Sequence, residues 1–198
     1  TNPLLGCLVA LDLGHLCLTL LWLPEPVRPR RRRASPAGLL LVQVVALGPR
    51  GLAVRADLGD AGAAEQAVEQ AAAALGRLDV CVCNAGMIQR RPALEVALED
   101  FRRVLDVNLT GAFAVSRAAA RRFVAQGSAG RIVHLGSQLS FFGGVNVAAY
   151  AASKGAIAQL AKSQSNEWAP LGIRVNAVAP GWIETELTAE LRADESRN

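Results

Sequence analysis

Four short apolar runs set the terms for this chain: GLAVRADL (51–58), RLDVCVCNAG (77–86), GRIVHLGS (130–137) and GIRVNAVAPG (172–181). Each reads as a buried strand, because the apolar residues run on with little alternation until Gly, Asn or Pro stops them. Helical patterns lie between them. Residues 61–75, AGAAEQAVEQAAAAL, are strong helix formers with an apolar stripe. A longer pattern covers about 95–125, with Phe101, Leu105, Leu109 and Phe113 at four-residue steps. Residues 148–168 form a third helix, rich in small side chains. Strands alternating with helices predict the α/β class: a doubly wound parallel sheet with helices on both faces. In such sheets ligands sit beyond the carboxyl ends of the strands. Chemistry is therefore expected at Asp57, Asn84-Ala85-Gly86, Ser137 and Pro180-Gly181, which close the four runs.

The third helix opens with YAASKGA (150–156), which places Tyr150 and Lys154 on one helix face. Tyr150 is the only tyrosine in the chain. A free phenol titrates near pH 10, too high for a base at neutral pH. A nearby ammonium favours phenolate, so the pair suits proton transfer to or from a substrate oxygen. Tyr-x-x-x-Lys alone usually means a solvated lysine beside a packed ring. Here it follows a strand-terminal serine, a strand-terminal Asn-Ala-Gly and a mid-helix Asn108, and a Pro-Gly turn with Thr185 comes after it. Singly, Asn84 reads as a turn residue and Thr185 as a helix cap. In this order, at these strand ends, they form a set.

From Ala46 to the C-terminus the sequence resembles the short-chain dehydrogenase/reductase family. The resemblance implies a Rossmann-like fold and an NAD or NADP cofactor. It assigns Asp57 to the adenine amino group, and Asn84, Ala85 and Gly86 to the strand end lining the adenosine ribose. Asn108 would hold a water in a proton relay, and Ser137 would hydrogen-bond the substrate oxygen. Tyr150 would be the acid/base; Lys154 would lower its pKa and bind the nicotinamide ribose. Pro180, Gly181, Ile183 and Thr185 match the turn that receives the nicotinamide carboxamide. The stretches SQLSFFGGVNVAAYAASK and NEWAPLGIRVNAVAPGWIETELTAELRADESRN are similar to the gluconate 5-dehydrogenase and 2-deoxygluconate 3-dehydrogenase group. The implied reaction is hydride transfer at an alcohol or ketone carbon of a sugar acid or polyol. Gln138, Asn146 and Trp182 flank the expected site and read as substrate neighbours. The resemblance also implies a homodimer or homotetramer, paired through the helices of 95–125 and 148–168.

Composition excludes some alternatives. With 52% hydrophobic and 19% charged residues the chain is globular. The net charge of +4 owes much to one run, Arg28 and Arg30–Arg33. That is no folded basic face, so nucleic acid is not an expected partner. Cys7, Cys17, Cys81 and Cys83 lack zinc spacing and read as reduced, buried thiols of a cytoplasmic protein; no metal is expected. The apolar run Leu4–Leu23 could suggest a membrane anchor, but Asp12 and His15 near its centre argue against one.

Two departures from the family pattern stand out. Residues 1–50 contain no TGxxxGxG-type turn, the device that brings backbone N–H groups to a pyrophosphate. Residues 1–45 read as an atypical segment of the kind a shifted reading frame yields, preceding a partial Rossmann-like domain over 46–198. The only candidate first strand is LLLVQVVAL at 39–47, expected between the strands near 52 and 78. The family's last helix and strand are also not found, so the fold is expected to be incomplete at both ends and its nucleotide affinity poor. The rival reading is an inactive fragment of such an enzyme, serving at most as a helix-mediated interaction module.

Overall fold

The computed structural model describes residues 6–12, 16–22 and 51–183. Six strands form one sheet: β1 (Gly6–Asp12), β2 (Leu16–Trp22), β3 (Gly51–Arg55), β4 (Val80–Cys83), β5 (Gly130–Leu135) and β6 (Ile173–Val178). Their order is β3-β1-β2-β4-β5-β6. β2, β4, β5 and β6 are parallel neighbours. β1 runs antiparallel to both β2 and β3, so β3 shares the direction of the parallel set.

The parallel sheet with flanking helices is as the sequence predicts, although among the described residues the helices cover one face where both were expected. Its centre is not as predicted. The positions between β3 and β4 are taken by β1 and β2, drawn from the apolar run 4–23, whereas 39–47 lies outside the described residues. Only three residues separate β1 from β2. A parallel pair needs a connection of a dozen or more, so a pair joined this closely must be antiparallel. The run 4–23 thus supplies strands of the sheet, and no helix among the described residues is long and apolar enough to cross a membrane.

The helices α1 (Ala61–Leu75) and α4 (Ala148–Trp168) match their predicted limits. Asp60 caps α1 by accepting from the N–H groups of Gly62 (2.8 Å) and Ala63 (3.2 Å). Gly76 ends it in the left-handed conformation, at φ 83°. The long pattern near 95–125 resolves into α2 (Leu98–Leu105), a π-helical turn (Asp106–Gly111) and α3 (Ala112–Ala125). The stripe of Phe101, Leu105, Leu109 and Phe113 is not the buried face. Val104, Asn108, Ala112 and Val115 are buried instead, while Phe113 faces outward beneath Arg117, whose guanidinium lies 5.1 Å from the ring centroid. Four-residue steps overshoot a 3.6-residue turn by about 40° each, so such a stripe winds off any one face.

Buried positions Cys81, Cys83, Ile132, His134, Ile173 and Val175 alternate with less buried ones along β4, β5 and β6. Among the described residues one face of the sheet is therefore the covered one, with α1, α3 and α4 upon it. Arg117 joins α3 to Glu65 of α1. His134 Nε2 donates to Gln164 Oε1 (2.8 Å), and Gln164 Nε2 donates to Ser116 Oγ (2.9 Å), so a buried polar ladder ties β5 to α4 and α3. Gly111 is required by contact: a Cβ there would lie 2.2 Å from the Leu58 carbonyl oxygen. That approach sets the π-helical turn against the end of β3 and so fixes the height of Asn108.

Candidate active site

At the carboxyl ends of β4 and β5 the chain buries an unusual set of polar side chains: Asn108, Ser137, Ser153 and Lys154, with Tyr150 beside them. Buried polar groups persist when they are bonded, and these are bonded largely to the main chain around them. Asn108 Oδ1 accepts from the Met87 N–H at 2.7 Å, while its Nδ2 donates to the Met87 carbonyl at 2.9 Å and to Ser153 Oγ at 3.0 Å. Ser153 Oγ in turn donates to the Tyr150 carbonyl at 2.7 Å. The π-helical turn is thereby clamped to the strand end at Met87 and to the first turn of α4. The amide of Asn108 is spent on this clamp. Met87 and Ser153 were not singled out from sequence; a buried mid-helix asparagine was the signal that such partners exist.

Lys154 is 5% exposed and donates from Nζ to the Leu135 carbonyl at 2.5 Å. Burial lowers its pKa to about 8, partly offset by the neighbouring Cys83 thiol. Its Nζ lies 5.6 Å from the Tyr150 ring centroid. The sequence reading expects this ammonium to lower the pKa of the phenol. The structure gives the opposite net direction: burial raises it, while the hydrogen bond with Ser137 and the positive charge of Arg90 pull it part of the way back. Desolvation of the phenolate outweighs both.

Ser137 begins the turn after β5. Its backbone is extended, at φ −164°, and its Oγ accepts from the Leu139 N–H at 3.1 Å. The turn after β6 is stitched to it, since the Gly136 and Gln138 N–H groups donate to the carbonyls of Val178 (2.8 Å) and Pro180 (3.0 Å). Pro180, Gly181, Trp182 and Ile183 are thus brought beside Ser137, with Trp182 and Ile183 exposed; Thr185 lies outside the described residues. Gln138 adjoins Gly181, its Oε1 lying 3.7 Å from where a Cβ would stand. Asn146 takes a positive φ of 62° and accepts from the Arg91 N–H at 2.8 Å.

The Asn84-Ala85-Gly86 stretch leads from β4 into the cluster, with Ala85 buried. A side chain at Gly86 would press to 3.3 Å from Asn108 Oδ1 and 3.6 Å from Lys154 Nζ. Backbone alone therefore lies over these two groups. Asp57 stands apart, at the end of β3 beyond β1 and β2, where its Oδ1 accepts from the Gly59 N–H at 2.9 Å. Among the described residues no group of acids, histidines and cysteines could hold a metal ion. Cys81 and Cys83 share one face of β4, with their sulfurs 4.0 Å apart.

Known proteins resemble this chain in sequence and fold. The family model for short chain dehydrogenases matches residues 29–196, reaching upstream of the Ala46 at which the sequence resemblance starts. The 2-dehydro-3-deoxy-D-gluconate 5-dehydrogenase of Escherichia coli is 43% identical over 79% of this chain and 62% of its own. A structure from Beutenbergia cavernae, described as an NAD(P)-dependent gluconate 5-dehydrogenase with NADP bound at low occupancy, is 51% identical, with a TM-score of 0.67 over 72% of this chain and 56% of its own. A gluconate 5-dehydrogenase from Burkholderia cenocepacia, in complex with NADP and tartrate, is 35% identical, with a TM-score of 0.68 over 71% and 55%. The chain spans less than two thirds of the length of the relatives it matches. The match over 29–196, together with the serine, tyrosine and lysine gathered at the strand ends, makes this chain a member of the short-chain dehydrogenase family.

Proposed function

We propose that this chain carries the catalytic part of an NAD(P)-dependent dehydrogenase that interconverts an alcohol and a ketone on a sugar acid. The observation that carries the reading is the meeting of Gly86, Asn108 and Lys154, with the Tyr150 ring 5.6 Å from the Lys154 ammonium and Ser137 near enough to the phenol to pull its pKa down. The residues suit a nicotinamide cofactor: bare backbone at Gly86 over a buried lysine leaves room for a ribose, which Lys154 and the 84–86 strand end would hold. Pro180, Gly181, Ile183 and Thr185 would receive the carboxamide, and Asp57 the adenine. When bound, the nicotinamide supplies the hydride donor or acceptor. The protein's own part is the proton. Tyr150 gives it to, or takes it from, the substrate oxygen, and Ser137 Oγ bonds the same oxygen and holds it in place. Burial raises the phenol's pKa, which favours the neutral, proton-donating form for ketone reduction. Lys154, with its pKa near 8, changes charge close to neutral pH and can pass a proton onward. Asn108 keeps the strand end and α4 in register for this; a relay water, if held here, is held by the turn that Asn108 clamps.

The sugar acid is favoured by Arg90, whose charge reaches the phenol from the loop after β4 and would pair with a substrate carboxylate. It is favoured also by the relatives, which are named for gluconate derivatives. Self-association through α4 and the α2–α3 helix fits the small side chains along α4, with Ala152, Gly155 and Ala158 among them. The test is turnover by the purified chain with NAD or NADP, using D-gluconate, a 2-dehydro-3-deoxy sugar acid and the neutral polyol xylitol, read by nicotinamide absorbance. The acids should be favoured over xylitol by about tenfold to a hundredfold in kcat/KM, the worth of one charge-assisted hydrogen bond. Arg90→Ala should erase that preference. No nicotinamide-coupled turnover with any of the three would overturn the reading.

A further inference from the structure

Ser140 is attached to both halves of the proposed proton-transfer site. Its Oγ accepts from the Ser137 N–H at 3.1 Å and donates to the Lys154 carbonyl at 2.7 Å. One hydroxyl therefore lies within bonding distance of the main chains of two residues that come from different elements and are 17 positions apart in sequence (154 − 137). The surroundings are fitted to it. Gly136 leaves space that a Cβ would take, 3.1 Å from Ser140 Oγ, and the Ser140 carbonyl sits 3.9 Å from where a Cβ on Gly155 would stand. The turn itself is closed on both sides, because Ser137 Oγ accepts from the Leu139 N–H and the Ser140 N–H donates to the Ser137 carbonyl at 2.8 Å.

We infer that Ser140 is a positioning residue that sets where the Ser137 hydroxyl stands relative to Tyr150 and Lys154. This rests on the proposed function for its catalytic meaning but on hydrogen bonds alone for its mechanical one. Ser140 touches neither the phenol nor the ammonium. With the bridge cut, the Ser137 N–H loses its acceptor and the turn is released from α4. The Ser137 hydroxyl then drifts relative to the phenol it must share an oxygen with. A misplacement of about 1 Å can cost about a hundredfold in rate, whereas substrate and cofactor contacts made elsewhere are untouched.

The experiment compares wild type, Ser140→Ala and Ser140→Thr. Steady-state kinetics are run with D-gluconate and NADP across pH 6–10, and amide hydrogen exchange is followed at Ser137. Ser140→Ala should lower kcat by roughly ten- to a hundredfold with KM for both ligands little changed. Ser140→Thr, which keeps the hydroxyl, should restore most of it. Exchange at the Ser137 amide should speed up in the alanine variant and return in the threonine one. Unchanged exchange at Ser137 in Ser140→Ala overturns the inference, whether or not the chain turns over. So does a loss that falls on KM instead of kcat. If wild type shows no turnover while Ser140→Ala still releases the Ser137 amide, the dehydrogenase reading fails and the bridge stands. A Ser140→Ala variant that unfolds is judged by Ser140→Thr, whose failure to regain Ser137 protection when folded would overturn the inference.

Discussion

From β4 to β6 each strand is joined to the next through a helix, whereas β1 and β2 are joined by three residues. The two halves of the sheet meet at the β2–β4 pair, Cys17–Thr19 against Val80–Val82. On one side lie crossover helices, a clamp of hydrogen bonds around Asn108 and a ladder from His134 through Gln164 to Ser116. On the other, apolar strands fill the sheet by backbone pairing, one of them reversed. The contrast separates two demands that a sheet enzyme makes on its sequence. Filling a strand position takes apolar residues of sufficient length, and the direction of the strand is then dictated by the connection. Building a proton-transfer site takes particular residues at particular strand ends, and nothing apolar will serve.

The sharpest test of the catalytic half is Tyr150→Phe. It keeps the packed ring and removes the oxygen proposed to move the proton. Turnover should fall by about 10²–10⁴-fold, the usual worth of a positioned acid/base, while nucleotide binding measured by fluorescence stays within about twofold. Retained turnover would mean that the proton travels elsewhere. The other half is probed by Leu8→Pro, at the middle of β1, where the residue pairs with Leu20 on one side and Val54 on the other. Proline removes a ladder bond and should cost about 1–3 kcal/mol in denaturant unfolding. If the sheet is one cooperative body, the whole transition shifts. A transition unmoved at Trp168, followed by fluorescence, would show that the hairpin is dispensable to the catalytic half.

The smallest effect concerns Lys154. Its folded-state pKa of about 8 lies below its ordinary 10.5. Between those values the unfolded chain binds more protons than the folded one, so stability rises with pH; below about 8 the burial penalty is fully present. Tyr150, whose pKa is raised, works in the opposite sense only above its ordinary 10.0. Stability relative to Lys154→Met should therefore shift in favour of wild type by about 2–3 kcal/mol from pH 7 to pH 10. A flat difference would show that the ammonium is better solvated than its burial implies.

Much of this was legible in the sequence, for physical reasons that differ by element. α1 and α4 declared their limits through helix formers ended by Gly76 and by Pro170, whereas the π-helical turn left no mark, because Phe101, Leu105, Leu109 and Phe113 continue across it. The strand-end residues could be read because a parallel sheet sends ligands to one edge. What joins them could not: Met87 acts through its main chain, Leu135 through a carbonyl, and Arg90 through charge across a loop. The direction of Tyr150's pKa shift was also out of reach, since it depends on burial and not on spacing. The apolar run 4–23 was not assigned to strands because a stretch this apolar fits a helix as well as it fits two strands; Asp12 and His15 near its middle were the better guide.

The contact at Gly111 has a genetic consequence. A Cβ at this position would fall 2.2 Å from the carbonyl oxygen of Leu58, a backbone atom that cannot rotate out of the way. Every amino acid reachable from a glycine codon by a single base change carries a Cβ. Whatever the third base, the codon for residue 111 has silent neighbours and damaging ones, and no mild missense step between them. Variants at this codon should therefore be purged wherever the protein is under selection.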